Sequence, residues 1–599
     1  MKIKNIFAFC VLEILLWSVL CLAYFFVSGF YPSWIGGTFT ALFILGNSFM
    51  FGVGLFALLA LMRLLGPKTA FWTAVVLGSL FNLILCIDIV VYSQYRFHIS
   101  LAMLQLFFGP ASKEIFVFPA STYFVLTGVI LLLIAITFAL VKLAEKIHLN
   151  GKKITVLSSV LLLLFAGYNG MYAWGKFMLV PSVLSQVPYL PWAQPLSMNR
   201  RLRKMGFEPK TQPYETPRKG TLNYPLAAMS CQTTEEKPNI LFILIDSWRA
   251  DAFSPEVMPH SFARYQNSKN AFYFTNHLSG GNATEAGVFS LFYSMPYPYW
   301  ESVTANKIRP VFMEELARQG YEFGIYASAK LNSPEFSQNV FSHIENLRIS
   351  STGKTKWQRD ENAQEEFLSF LENRDKSKPF FGFLFYDSAR GFDFNPQAQK
   401  PFAPYAQEVN YLTLNKNTDP APYVHRYKNS AHYMDSLLQK VFQTLQEQGL
   451  DKNTIIVLTG DHGQELNDTR QNFWGHNSNF AKYQTHVPLV IWWPEREGKT
   501  IDYRTSHYDV MPTLLRQVFG CKNPIEDYSI GYDLFDATAR PWTLILSYTN
   551  KAIREGDKIS VLNNYGGIEN YDQNYTPSQT PVSAKALSES LKEFSHFYK

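Results

Sequence analysis

At 599 residues the chain is too long for one ordinary domain. Its net charge of +6 is modest, with 54 Lys and Arg and 48 Asp and Glu scattered along the chain, so charge gives no basis for a nucleic-acid partner. Composition changes near residue 175: Leu, Phe, Val, Ile and Ala dominate before it, and a soluble protein's mixture follows.

Five long apolar runs fill the first region, at 7–29, 38–64, 71–93, 118–142 and 155–174. Each is close to or above the ~20 residues that cross a bilayer. The first follows Lys2 and Lys4 and imitates a signal peptide, but four further spans make cleavage immaterial to the topology, and it reads as a retained helix. Lys2, Lys4, Arg63, Lys68, Lys142, Lys146, Lys152 and Lys153 flank the spans on one side; the 31–37 loop has no Lys or Arg, and the 94–117 loop has Arg96 and Lys113. Basic loops stay cytoplasmic, which puts the large C-terminal half outside the cytoplasm. Glu13 and Asp88 are ionisable groups within spans, a functional expectation by default, although Asp88 is near enough to the outer end to reach the interface. Cys10, Cys21 and Cys86 fall in spans and read as small apolar residues. Cys231 and Cys521 would be extracytoplasmic and free to pair, but spacing does not show proximity.

Residues 176–237 read as a proline-containing linker. Within it, "SMNRRLRKMGFEPK" carries Arg200, Arg201, Arg203, Lys204 and Lys210. The stretch is either a solvated basic segment or a contact for anionic lipid head groups, where each charge contributes on the order of 1 kcal/mol.

From 238 onward strands and helices alternate. "NILFILID", "YEFGIYASA", "PFFGFLFYD", "TIIVLTGD" and "VPLVIWW" are short apolar runs, as expected of strands covered on both faces. Helical stretches such as "VFMEELARQG" and "KNSAHYMDSLLQKVFQTLQEQG" separate several of them, and Ser506 and Asp509 have capping-box spacing at the start of another. The pattern predicts an α/β domain with a largely parallel sheet, whose ligands bind at the carboxyl ends of the strands.

Asp461 and His462 end one such strand and Asp246 ends another, so all three would share one edge of the sheet. Two carboxylates and an imidazole there suit a divalent cation, although a strand-ending Asp is common by itself. In "SGGNATEAGVFSLFYS", Gly280 and Gly281 allow a tight turn and a helix begins near Thr284. Backbone N–H groups at a helix start suit a phosphate or sulfate, and a metal-bound hydroxyl would become a nucleophile; the plain alternative makes Thr284 an N-cap. The sequon at Asn282 is read as chance. His486 and His507 are further candidates to line the site, with a structural hydrogen-bonding role as the alternative, and His432 reads as structural.

"ILIDSWRAD", the Gly-rich turn with Thr284, "TGDHG" followed by "WGH", and "SHYDVMPTLL" resemble the alkaline phosphatase/sulfatase superfamily over about 238–599. The resemblance implies that Asp246, Thr284, Asp461 and His462 bind one divalent metal and that Thr284 is the nucleophile. It puts His476 near the substrate's phosphoryl group. Zinc suits the His/Asp set, and manganese and magnesium remain open. Over nearly the full length the chain is similar to the YejM/PbgA-type inner-membrane proteins of Gram-negative bacteria, through "IDIVVYSQYRFHIS", "PLSMNRRLRKMGF" and "GNATEAGVFSLFYSMPYPYW". This implies a five-helix transmembrane domain (1–175), a basic periplasmic linker (176–237) and an α/β alkaline-phosphatase/sulfatase-like periplasmic domain (238–599). It also implies a role in outer-membrane lipid homeostasis, binding of anionic phospholipid or lipopolysaccharide, and inner-membrane regulatory protein partners.

Two departures refine the expectation. Sulfatases convert a Cys or Ser in a C/S-x-P-x-R motif to formylglycine; here Thr284 stands in "TEAGV", without the following Pro or Arg. A threonine nucleophile points to phosphoryl chemistry, as in lipoteichoic-acid synthases and phosphoethanolamine transferases. Related enzymes also often carry a histidine just after the strand that here reads "FFGFLFYD". This chain has Arg390 in "DSARGF", which puts a second metal in doubt. Arg390 would either hold a phosphate oxygen or pair with a carboxylate. The rival expectation is a non-catalytic lipid sensor or regulator; a transporter is disfavoured by the lack of an inverted repeat and by few intramembrane charges.

Overall fold

The computed structural model describes residues 1–28, 33–96, 98–99, 120–178, 180–208, 221–233, 237–564 and 567–599. Lys113 and Lys210 lie outside the described residues. The chain divides into two compact units, one built on Met1–Gln212 with two short later segments and the other on the rest.

The first unit holds five long helices: α1 (Ile3–Ser28), α2 (Trp34–Leu64), α3 (Pro67–Tyr95), α4 (Ala120–Lys146) and α5 (Gly151–Phe177). They contain 26, 31, 29, 27 and 27 residues. At 1.5 Å per residue each is long enough to cross a bilayer. Ser33 caps α2 through Gly36 N, Pro67 starts α3, and Asn150 caps α5 through Lys153 N.

The two intramembrane acids are buried and hydrogen-bonded, as polar groups out of reach of water must be. Asn82 Nδ2 donates to Glu13 Oε2 (3.2 Å), and Trp17 Nε1 donates to Asn82 Oδ1 (2.7 Å). Asp88 accepts from Tyr24 Oη (2.6 Å) and Ile99 N (2.6 Å) and pairs with His98 Nδ1 (2.7 Å). Asp88 is therefore enclosed within its own unit. Part of the stretch read as a linker belongs to this unit: Val183, Leu184, Val187, Leu190 and Ala193 pack into a core with Tyr168 and Tyr172 of α5. The basic segment forms a short helix, α6 (Asn199–Lys204).

In the second unit a seven-stranded sheet carries the fold. Its strands are β1 (Asn239–Ile245), β2 (Ala271–Phe274), β3 (Glu322–Ala327), β4 (Phe380–Tyr386), β5 (Thr454–Gly460), β6 (Leu489–Trp492) and β7 (Thr500–Ile501), in spatial order β7-β2-β6-β5-β1-β4-β3. Strands β5, β1, β4 and β3 run parallel, whereas β6 is antiparallel to both β5 and β2. The sheet is thus mixed, with its parallel part where the apolar runs are longest.

All seven residues of β1 are buried. Phe242 packs on Phe292 of α7 (Thr284–Tyr293), at 5.8 Å between ring centroids. On the other face, Gly382 of β4 leaves room for Leu241 and for Phe367 of α8 (Lys356–Asn373). Helix α9 (Ala421–Glu447) follows, and His432 on it bonds Val257 O through Nδ1 (3.0 Å), a structural role. Helix α10 (Val510–Phe519) starts beyond the expected capping box between Ser506 and Asp509. A smaller sheet follows with strands β8 (Thr543–Leu546), β9 (Lys551–Glu555), β10 (Lys558–Leu562) and β11 (Ile568–Tyr571).

Cys231 and Cys521 form a disulfide across 290 residues, tying the segment before β1 to the end of α10. Such a bond restricts the unfolded chain and belongs to an oxidising compartment. Replacing both cysteines by serine is expected to lower stability by about 2–5 kcal/mol. A thermal melt of the detergent-solubilised protein reads this as a fall in Tm, and an unchanged Tm would contradict it.

Candidate active site and metal centre

Strand register builds the site. Ile245 lies opposite Gly460 on one side and Tyr386 on the other. The next residues, Asp461, Asp246 and Asp387, therefore stand in a row at the carboxyl edge of three parallel strands. Asp387 was not among the sequence candidates. The repeated strand-then-Asp pattern in "NILFILID", "TIIVLTGD" and "PFFGFLFYD" is the signal that marks it.

Ser247, with φ of 64°, turns the chain sharply after β1 and gives its N–H to Asp461 Oδ1 (2.9 Å). Its hydroxyl donates to Asp246 Oδ1 (2.8 Å). His462 N donates to the same Asp461 oxygen (2.8 Å). Asp461 Oδ2 is buried without a hydrogen-bond partner. His462 bonds Gly463 O through Nδ1 (2.8 Å), which makes that nitrogen the N–H donor and leaves Nε2 a bare lone pair facing the carboxylates.

The nucleophile candidate arrives on α7. Asn282 N donates to Leu546 O (3.1 Å) and Leu546 N to Gly280 O (3.0 Å), so β8 pins the Gly-rich turn. Asn282 is itself buried and donates its side-chain amide to Asn479 O (2.7 Å), so the sequon is not a surface acceptor. Thr284 is the first residue of the helix, and Ala283 is the N-cap, with no side-chain cap bond. Close approach depends on glycine: a Cβ on Gly287 would stand 2.1 Å from Asp461 O. Ser279 Oγ donates to the same carbonyl oxygen (2.5 Å), fastening the turn to the Asp461 loop. Thr284 Oγ1 comes to 3.4 Å from Asp246 Oδ2 and 3.3 Å from His462 Nε2.

Asp246, Asp461 and His462 are the one group of metal-ligand type among the described residues, with their ligand atoms all within 4.8 Å of one another. His462 Nε2 is 3.4 Å from Asp461 Oδ2 and 3.8 Å from Asp246 Oδ1. A tetrahedron with metal–ligand bonds near 2.1 Å has edges of about 3.4 Å, so the donor set fits a small divalent cation. Charge points the same way. Burial pushes the Asp246 carboxyl up to about 6, against the pull of Arg390. Burial, with the Asp246 charge added, pushes Asp461 well above the usual carboxylate range. Burial holds His462 down to about 3, so the imidazole is a neutral ligand. Two adjacent buried carboxylates, one with an unpartnered oxygen, call for a cation.

The flank is basic. Arg390 Nε lies 4.0 Å from Asp246 Oδ2 and its Nη1 3.9 Å from Asp387 Oδ1. Lys356, at the start of α8, pairs closely with Asp387 Oδ2, and Arg359 Nη2 stands 3.8 Å from it. Burial alone would raise the Asp387 carboxyl, but Lys356, Arg390 and Arg359 together hold it below the usual range. The strand end next to the metal group thus carries a carboxylate already matched by side-chain cations. Arg390 sits between two carboxylates, about a quarter of its side chain exposed at 27%.

The His476 ring lies tilted beside that of His462, at 4.4 Å between centroids, and its Nδ1 bonds Gln464 Oε1 (2.9 Å). Burial and the His462 ring keep it well below the usual imidazole range. His507 and His486 lie outside this constellation. His507 is buried behind α7, with Nδ1 on Gly287 O (3.1 Å). Burial holds His486 down to about 3, and its backbone carbonyl accepts from Ala250 N (3.2 Å). Both support the framework.

The family model described as Sulfatase matches residues 238–520, and a domain of unknown function matches residues 2–231. The inner membrane protein YejM of Salmonella typhimurium is 24% identical over 578 residues, covering 94% of this chain and 92% of that one. An uncharacterized protein of Haemophilus influenzae is 25% identical over 522 residues, or 84% of this chain and 79% of the other. Lipoteichoic acid synthase 1 of Bacillus subtilis is 32% identical over 117 residues, 19% of this chain and 18% of its own. With five membrane-length apolar helices before an α/β domain that the Sulfatase model matches, the chain is similar over nearly its full length to YejM-type multi-pass inner-membrane proteins.

Proposed function

We propose that the chain is a metal-dependent phosphoesterase or phosphotransferase acting on phosphoryl esters of membrane lipids. The observation that carries the reading is the convergence of Thr284 Oγ1, His462 Nε2 and the two carboxylates at one sheet edge, with Asp461 Oδ2 unpartnered. Asp246, Thr284, Asp461 and His462 would hold the metal, zinc or manganese by donor type, with magnesium open. When bound, a divalent cation there lowers the pKa of the Thr284 hydroxyl and neutralises charge on a phosphoryl oxygen.

Thr284 Oγ1 attacks the phosphorus, the bond from phosphorus to the leaving oxygen breaks, and the proton given up by Thr284 ends on the departing alcohol. Arg390, anchored by Asp246 and Asp387, turns its remaining N–H groups to the phosphoryl oxygens. A second attack, by water or an acceptor hydroxyl, breaks the Thr284–phosphorus linkage and returns a proton to Thr284. His476 suits this step. With its Nδ1–H held by Gln464 Oε1, it offers an unprotonated Nε2 to take the proton of the attacking group. Sulfate esters are disfavoured because Thr284 stands where a formylglycine precursor would be needed.

The lipid side of the proposal rests on α6. Arg200, Arg201, Arg203 and Lys204 are all exposed just beyond α5, and Met205 beside them is 70% exposed. Basic groups with an apolar neighbour suit anionic phospholipid or lipopolysaccharide, and inner-membrane regulatory proteins are proposed as further partners. Changing all four basic residues to Gln is expected to weaken binding to vesicles containing anionic lipid by on the order of 10²-fold or more, with little effect on neutral vesicles. Flotation assays read this, and equal loss on both would contradict a charge-based contact.

The activity is tested by metal exchange. Stripping with a chelator is expected to remove release of phosphorylated groups from bacterial lipids, and zinc or manganese is expected to restore it. Turnover that survives complete stripping would refute the metal-dependent reading.

A further inference from the structure

The second unit brings two arginines together without a counter-charge, in a place the metal centre does not use. Arg554 lies near the end of β9, opposite Thr543 of β8, and is 7% exposed. Arg504, half-buried, precedes the short strand Thr505–Ser506, which pairs with His277–Leu278. Both guanidinium groups reach one carbonyl in the turn between β9 and β10: Gly556 O accepts from Arg504 Nη2 (3.0 Å) and from Arg554 Nε (3.2 Å). Arg554 Nη1 and Arg504 Nε are buried and have no hydrogen-bond partner. Neither arginine forms an ion pair among the described residues. The carboxylates of the hairpin do not neutralise them: Glu555 accepts from Ser583 N and Ser583 Oγ, both at 2.6 Å, and Asp557 is exposed.

Among the described residues the three other buried arginines, Arg249, Arg359 and Arg540, each face a carboxylate. That is the rule for a buried charge, because an enclosed guanidinium with idle N–H groups and a like charge beside it is costly. Burial and the Arg504 charge accordingly pull Arg554 down to about 10. Gly556 and Asp557 are exposed, so the turn that both arginines hold is open to solvent. A single guanidinium fork matches a planar carboxylate, whereas two forks arriving from different strands supply donors to the several oxygens of a tetrahedral anion. We infer that Arg504 and Arg554 form an oxyanion site at the β9–β10 hairpin that takes a phosphate group.

The test uses the full-length, metal-loaded protein in detergent and inorganic phosphate as probe, titrated calorimetrically in a phosphate-free chloride buffer of fixed ionic strength. Phosphate that enters at the metal centre does so in every variant, so the readout is the difference between variants. The unmodified protein is expected to bind one more phosphate per chain than Arg554→Gln. At this site Arg504→Gln is expected to raise the Kd by at least about tenfold, and Arg554→Lys by less than Arg554→Gln. Melting curves without phosphate check that each variant is folded, and half-buried Arg504 keeps the test open should Arg554→Gln fail to fold. Two competitors identify the source of the group. Displacement of phosphate by phosphatidic acid in mixed micelles assigns it to a lipid head group, displacement by glucose 1-phosphate alone to a soluble phosphomonoester, and displacement by neither to the free ion. The same stoichiometry and affinity in the unmodified protein, Arg504→Gln and Arg554→Gln would overturn the site and leave both arginines as staples of the hairpin turn. Loss of the arginine-dependent phosphate to an equal concentration of added chloride would overturn it as well, since a general cationic patch behaves in that way.

Discussion

Thr284→Ala is expected to lower phosphoester turnover by at least about 10³-fold while leaving the fold and the Cys231–Cys521 disulfide in place. The prediction follows from position. Thr284 is the first residue of α7, and its hydroxyl is the side-chain oxygen that this helix brings within 3.4 Å of Asp246 and 3.3 Å of His462. Ala283 is the N-cap and makes no side-chain cap bond, so loss of the Thr284 hydroxyl removes little from the helix start. Turnover per folded protein, with folding checked by the melting curve, reads the effect. A lipid sensor would tolerate this change, and retained turnover in Thr284→Ala would remove Thr284 from the chemistry.

The second large effect is expected at Asp461. Asp461→Ala removes the unpartnered Oδ2 and the acceptor of two buried N–H groups, from Ser247 and His462. Metal affinity is expected to fall by at least about 10²-fold, and turnover with it. Stability is expected to fall much less than metal binding. The lost hydrogen bonds destabilise, but the like-charge pressure between Asp461 and Asp246 is relieved. Asp461→Asn separates the two effects, since its amide oxygen still accepts both N–H groups while the charge is gone. Elemental analysis of equilibrated protein measures the loss. Full metal occupancy in Asp461→Asn and Asp461→Ala alike would show that Asp461 is not a ligand.

Much of this was legible in the residues, for a physical reason. Long apolar runs with basic loops allow one arrangement in a bilayer, and five short apolar runs ending at 245, 327, 386, 460 and 492 gave the main strands. Register and direction were not legible. An apolar pattern does not say which way a buried strand runs, so the antiparallel β6 was not distinguished from its parallel neighbours, and the short β2 was not read as a strand. Asp387 becomes meaningful once β4 is aligned with β1, and Lys356 joins it from the start of α8, some thirty residues upstream. His507 and His486 show the converse. Both lie near site motifs in sequence, yet the fold turns His507 behind α7 and leaves His486 in the framework. Cys231 and Cys521 were legible as the two cysteines outside the spans and so free to pair, but not as neighbours, because 290 residues of spacing say nothing about proximity.

A covalent phosphothreonine intermediate can be sought directly. The metal-loaded full-length protein would be incubated with bacterial phospholipid, quenched in acid and digested, and the peptide carrying Thr284 weighed by mass spectrometry. A phosphoryl-containing adduct on Thr284 is expected, formed only with metal and substrate and absent from Thr284→Ala. Substrate turnover by the unmodified protein with no adduct on that peptide at any quench time, together with turnover in Thr284→Ala, would contradict it.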